Sequence, residues 1–172
     1  LLAIEICPDS IGAYKNLGIT YSQMDNDSMA VQTYLDAIKV APKDLKLKTV
    51  LGSLYYKNTQ YEDAIEVFDE VVKNAKPESK EYNDALISMA FSYDFLGQSD
   101  KARDTYLSAL EMSPDNKDII FNLGRLNFMQ KNYEDAIENF KKVLEVDPDD
   151  FESYLNIGND YLLKSDWDEA IV

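Results

Sequence analysis

Side chains able to do chemistry are unevenly stocked in this chain of 172 residues, which carries 32 carboxylates, one cysteine and no histidine. Lack of histidine removes the commonest general base, any Ser-His or Cys-His nucleophile pair, and the commonest nitrogen ligand for zinc. The acidic runs DPDD (147–150) and DNDS (25–28) suggest calcium. Neither has the spaced loop with an internal glycine and a terminal glutamate that calcium coordination needs, and acids at helix starts complement the helix dipole instead. Adjacent carboxylates such as Glu134 and Asp135 are suited to acid/base work, but among so many acids such pairs are expected as solvated helix faces. Cys7 has no partner for an internal disulfide, and no phosphate-binding glycine loop is present. No catalytic residue, metal or cofactor is expected, and the segment is read as not an enzyme.

Seventeen basic residues against the 32 acids leave a net charge of −15. A duplex binder needs a basic patch to displace counterions from phosphate, so nucleic acid is an unsuitable partner. Anionic membrane surfaces are disfavoured for the same reason. No apolar run approaches the roughly 18 residues of a membrane span.

The elements that would position any site show themselves as a repeat. The hexapeptide YEDAIE occurs at 61–66 and again at 133–138, 72 residues on. Anchored on Ala30, Ala64, Ala102, Ala136 and Ala170, the period runs 34, 38, 34 and 34 residues. The long interval contains NAKPESKEY (74–82), which reads as a lengthened loop. Each period divides into two amphipathic helices. In the fourth, Ile119, Ile120, Leu123 and Leu126 share one helix face, and Tyr133, Ala136, Ile137, Phe140, Val143 and Leu144 form a second stripe. Pro8, Pro42, Pro114 and Pro148 close the second helices. A single hairpin is too small to bury its stripes, so neighbours must stack.

These residues resemble the tetratricopeptide repeat, a 34-residue pattern with large, leucine, small and tyrosine positions in its first helix and alanine and aromatic positions in its second. The first helices supply Tyr14/Leu17/Gly18/Tyr21, Leu51/Gly52/Tyr55, Leu86/Met89/Ala90/Tyr93, Leu123/Gly124 and Tyr154/Ile157/Gly158/Tyr161. Tyr34, Phe68, Tyr106 and Phe140 follow the second-helix alanines by four residues. Lys48 departs from the pattern at a large position and Asn127 at the tyrosine. The resemblance implies an all-α, right-handed solenoid of antiparallel helix pairs. The expected organisation is one array over 1–172: the end of a preceding repeat at 1–10, repeats at 11–44, 45–82, 83–116 and 117–150, and a truncated fifth at 151–172. Neither end carries a polar capping face, so a segment of a longer array is expected, with possible self-association through its open ends.

By resemblance, the second, fifth, sixth, ninth, twelfth and thirteenth positions of each first helix line a concave groove. In the first two repeats these include Lys15, Asn16, Lys46, Ser53, Tyr56 and Lys57, a polar and mildly basic stretch. From the third repeat on they include Phe91, Phe95, Phe121, Phe128, Met129, Leu155, Leu162 and Leu163, with Asn122, Arg125, Asn156 and Asn159 among them. Phe121, Phe128, Leu155 and Leu162 are expected to be partly buried between repeats. The expected peptide-binding residues are Phe91, Phe95, Asn122, Arg125, Met129, Asn156, Asn159 and Leu163, because a contiguous exposed apolar patch marks an interaction surface. A helix of the same chain would fill that surface equally well. Asn16, Asn122 and Asn156 share the sixth position, where some relatives form an asparagine ladder; Val50 and Ser88 interrupt it here. The family's carboxylate clamp for chaperone C-termini fails residue by residue: Ile19 and Val50 stand where it needs asparagine, and Asp84 and Ser88 where it needs lysine and arginine.

The expected function is a protein–protein interaction scaffold that binds a peptide or helix in this groove. Two alternatives stay open: a substrate-selecting or regulatory segment of a larger enzyme, as in some glycosyltransferases, and a self-assembling structural module.

Overall fold

A computed structural model describes Ile4 and residues 6–164. All regular structure among the described residues is helical. The chain divides into two compact units, Leu1–Gln98 and Ser99–Val172. The first holds α1 (Ile11–Gln23), α2 (Asp27–Val40), α3 (Leu45–Lys57), α4 (Tyr61–Asn74) and α5 (Lys80–Phe95). Each of these helices packs on the next, and α3 also touches α5. The second holds α6 (Ser99–Leu110), α7 (Lys117–Met129), α8 (Tyr133–Val146) and α9 (Phe151–Lys164), again with consecutive helices in contact.

The helix starts are set by side chains that take up otherwise unpaired N–H groups. Ser10, Asn26, Asp44, Ser79 and Asn116 each accept a backbone N–H in the first turn of the helix that follows. The twin helices α4 and α8 lack such a bond at Gln60 and Asn132, and carry Glu62–Asp63 and Glu134–Asp135 in the first turn instead. Negative charge there complements the N-terminal dipole, which accounts for the carboxylate pairs without acid/base chemistry.

Four tight turns repeat one geometry. Asp25, Thr59, Gly97 and Lys131 have φ of 54°, 60°, 69° and 63°. The N–H groups of the residues that follow, Asn26, Gln60, Gln98 and Asn132, donate to the carbonyls of Tyr21, Tyr55, Tyr93 and Asn127, each at 2.9 Å. This is the Schellman arrangement, in which a left-handed residue lets the chain reverse while the last carbonyls stay bonded.

The lengthened interval behaves differently from a loop. Residues 75–79 are the non-helical stretch, and α5 starts at Lys80, capped by Ser79, and runs 16 residues against 13 for α1, α3 and α7. The extra residues go largely into helix, so the expected loop over 74–82 is corrected to a short connection and a longer α5.

In the first unit Ala30, Tyr34, Ala37, Leu47, Leu51 and Leu54 form a buried cluster, with Tyr14, Tyr21, Ile38 and Tyr55 packed on it. In the second, Ala136, Ile137, Phe140 and Ile157 do the same, supported by Phe121, Phe128, Leu144 and Tyr161. Lys48, the departure at a large position, is buried and forms an ion pair with Glu70 of α4. Its methylene stem replaces the missing apolar side chain while the ammonium keeps a partner. Ile4 and Ile6 are helical and Cys7, expected to end the helix tail at 1–7, is not; residues 1–3 and 5 of that tail, and the anchor Ala170, lie outside the described residues.

Candidate peptide-binding surface

Within the first unit the candidate residues sit on α5. Phe95, its last residue, is 62% exposed, and Phe91 one turn earlier is half-buried. The Phe95 ring stacks on Tyr61 with centroids 5.0 Å apart, and Tyr56 meets both rings edge-on, at 6.0 and 5.6 Å. Burial, then the neighbouring Tyr61 and Asp94, push the Tyr56 hydroxyl above its usual pKa. Between α3 and α5 an open cavity of about 320 Å³ is lined by Lys46, Thr49, Val50, Lys80, Glu81 and Asp84.

The lysines of this unit do not make it basic. Lys15 pairs with Asp44 at 3.3 Å, Lys57 with Asp27 at 3.0 Å and Lys46 with Glu81 at 3.8 Å. The mildly basic stretch expected from sequence is therefore neutralised locally. Ile19 and Val50, at ninth and sixth positions, are exposed and add apolar surface that the sequence reading described as polar.

Within the second unit α7 supplies Asn122, Arg125 and Met129. Asn122 donates to the Asp118 carbonyl at 2.7 Å and accepts from Arg125 Nε at 3.3 Å, and Arg125 Nη1 lies 3.4 Å from Met129 Sδ. Met129 is 60% exposed. Helix α9 supplies Asn156, which donates to the Glu152 carbonyl at 2.8 Å, exposed Asn159, and Leu163, 56% exposed. Asn122 and Asn156 thus spend an amide N–H on their own helix and leave other valences outward. Phe121 and Phe128 pack against the core as expected, with Phe121 edge-on to Phe140 and Phe128 tilted on Tyr133. Leu155 and Leu162 were expected to be partly buried and are exposed, on the last described helix, together with Phe151 and Tyr154. Tyr154 fills the large position of the repeat pattern, whereas Phe151, the first residue of α9, falls outside the positions that the pattern specifies.

The DPDD acids have structural partners. Asp147 and Asp150 take Lys117 at 2.7 and 3.5 Å, and Asp150 caps α9 through the Ser153 N–H at 2.8 Å. The Lys117 hydrogen bond holds the Asp147 carboxyl below its usual pKa. Among the described residues no cluster of three or more His, Cys, Asp or Glu side chains could hold a metal ion. No described helix is long and apolar enough to cross a membrane.

Antiparallel helix pairs with this turn and these packing positions define a helical-repeat interaction scaffold. Family models described as tetratricopeptide repeat match residues 11–44, 84–116, 118–150 and 29–83, and the chain belongs to that family. Protein O-mannosyl-transferase TMTC3 of Homo sapiens is 28% identical over 157 residues, 83% of this chain and 17% of that protein. Anaphase-promoting complex subunit CDC16 of Saccharomyces cerevisiae is 24% identical over 129 residues, 73% of this chain and 15% of its own length. The chain thus spans less than a fifth of these curated relatives. Among solved structures, MamA superposes with a TM-score of 0.87 at 21% identity, over 95% of this chain and 87% of that one. YrrB, described as a TPR protein with an unusual peptide-binding site, gives 0.80 at 20% identity, over 98% and 85% of the two chains.

Proposed function

We propose that this segment binds a peptide or helix of a partner protein through exposed residues of its first helices, in each unit separately, and carries no chemistry of its own. The observation that carries the reading is the thirteenth position. Phe95, Met129 and Leu163 stand 34 residues apart in sequence, and each is a large apolar side chain 56 to 62% exposed. Surface positions of a repeat helix need no such side chain for folding, so exposed apolar residues at one register position suit contact with a partner. Asn122, Arg125, Asn156 and Asn159 would supply the polar contacts, and Phe91 a supporting ring. The experiment is a displayed peptide library selected on the chain and re-tested on Met129→Asp/Leu163→Asp. Selected peptides should lose at least tenfold in affinity on the variant; unchanged binding would remove the assignment.

The resemblance to an O-mannosyl-transferase, of which this chain matches a small part, favours one second reading: a substrate-selecting or regulatory segment of a larger enzyme. That reading uses the same exposed residues, with the partner being the enzyme's protein substrate.

A further inference from the structure

Two departures from the repeat pattern meet in space within the second unit. Asn127 occupies the position held by Tyr21, Tyr55, Tyr93 and Tyr161 in the other first helices. Tyr21 and Tyr55 pack against the first core and Tyr161 against the second. Arg103 of α6 occupies the position held by Val31, Ile65 and Ile137 in the other second helices. The Arg103 Nη2 group donates to Asn127 Oδ1 at 3.3 Å and also to Gln130 Oε1.

Where a tyrosine ring would lie, the shorter Asn127 borders an open cavity of about 270 Å³. Arg103 and Asn127 line it with Asn132, Asp135, Asn139 and the aliphatic wall of Leu107 and Leu123. Its polar groups are incompletely used. No carboxylate among the described residues forms an ion pair with Arg103, although Asp135 lines the same cavity. Asn132 makes no side-chain capping bond, and Asn139 donates to the Asp135 carbonyl while keeping its own oxygen available. A guanidinium has five donors, and neutral partners take only some of them here.

We propose that this cavity is a binding site for a carboxamide, of the kind carried by a glutamine side chain of a partner protein. The recognition chemistry follows from the lining. Arg103 and the Asn127 amide are donors for the ligand's carbonyl, and Asp135 and Asn139 are acceptors for its NH2 group. One guanidinium and one carboxylate cancel, so a charged ligand is repelled by one of them, whereas an amide satisfies both. Leu107 and Leu123 flank the methylene stem. A volume just below that of drug-sized pockets suits a side chain better than a large molecule. Asn132, Asp135 and Leu107 are exposed, and Arg103, Asn127 and Asn139 are half-buried. A ligand that lacks the matching donor or acceptor leaves those half-buried groups unpaired.

The test is a 15N-NMR titration of the whole chain with three probes: N-acetyl-glutamine methylamide and its glutamate and norleucine analogues. The glutamine probe should saturate shifts at Asn127, Asn132 and Asn139 with an affinity at least tenfold above either analogue. Asn127→Tyr, which restores the residue of the other repeats, should weaken that binding at least tenfold without loss of thermal stability. Arg103→Gln provides the same comparison should the tyrosine variant fold poorly. Equal affinity for the three probes, preference for glutamate, no saturable shift, or undiminished binding by both variants would overturn the assignment.

Discussion

Phe95 lies parallel to Tyr61, 4° from coplanar, with Tyr56 edge-on to both. One face of the ring is fixed by packing within the first unit while most of its surface stays in solvent. A rigid, partly exposed aromatic is a low-entropy contact for a partner. Such pairs contribute about 1 kcal/mol beyond area burial. Phe95→Ala should therefore lower the unfolding free energy by roughly 1 kcal/mol, and a double-mutant cycle with Tyr61→Ala in urea should return a coupling of similar size.

Thr59 and Lys131 hold φ near 60°, a region where a β-branched residue is strongly disfavoured. Gly97 already shows the compatible residue at the equivalent turn. Thr59→Gly should raise the unfolding free energy by about 0.5–1 kcal/mol, with the gain in relieved strain exceeding the added chain entropy. Thermal unfolding followed by circular dichroism measures it.

A Cβ placed on Gly52 would lie 2.6 Å from Phe68 Cε1, and one on Gly124 would lie 2.8 Å from Phe140 Cε1. These glycines let the paired helices cross closely, with the aromatic ring seated over the backbone. Gly52→Ala should destabilise by about 1–3 kcal/mol through overpacking, despite alanine's better helix propensity. Adding Phe68→Leu should recover part of that loss in the same denaturant titration.

Asp160 of α9 is fully buried, and neither carboxylate oxygen has a hydrogen-bond partner among the described residues. Burial alone pushes its carboxyl up to about 6. A raised acid pKa means the folded state holds its proton more tightly than the unfolded state. Stability should then fall as pH rises from about 4 through 6, and the penalty should be fully present at neutral pH. Leu54 and Leu126 occupy the equivalent position in α3 and α7. Asp160→Leu should thus stabilise the second unit by about 2–3 kcal/mol at pH 7.5 and flatten that slope. Unfolding free energies measured at pH 4.5, 6 and 7.5 would show it.

The helix pairs were legible because each carries its own period, caps and closing proline, all local signals. The long interval at 74–82 misled because a proline and charged residues look like loop, whereas Ser79 accepts the Tyr82 N–H at 3.3 Å and starts α5 early. Charge was misread for a related reason. Lys15, Lys46 and Lys57 look like an exposed basic stretch in one dimension, while their carboxylate partners Asp44, Glu81 and Asp27 lie 29 to 35 residues away in sequence on other helices or their caps. Phe95, Met129 and Leu163 could be found from register alone, because an apolar residue at an outward position stands out. The Arg103–Asn127 cavity could not: each departure is visible in sequence, and only the fold brings the two together.

The most direct test of the account is the affinity of a library-selected peptide, by calorimetry, for the chain and for Phe95→Asp, Met129→Asp and Leu163→Asp separately, each checked for unchanged helicity. The account predicts that at least one of these exposed-site changes weakens binding tenfold or more, about 1.4 kcal/mol, while a change at the exposed Val146 of α8, Val146→Asp, leaves it unaltered. Parental affinity in all three variants, or loss only with Val146→Asp, would contradict it and move the interaction to the second helices.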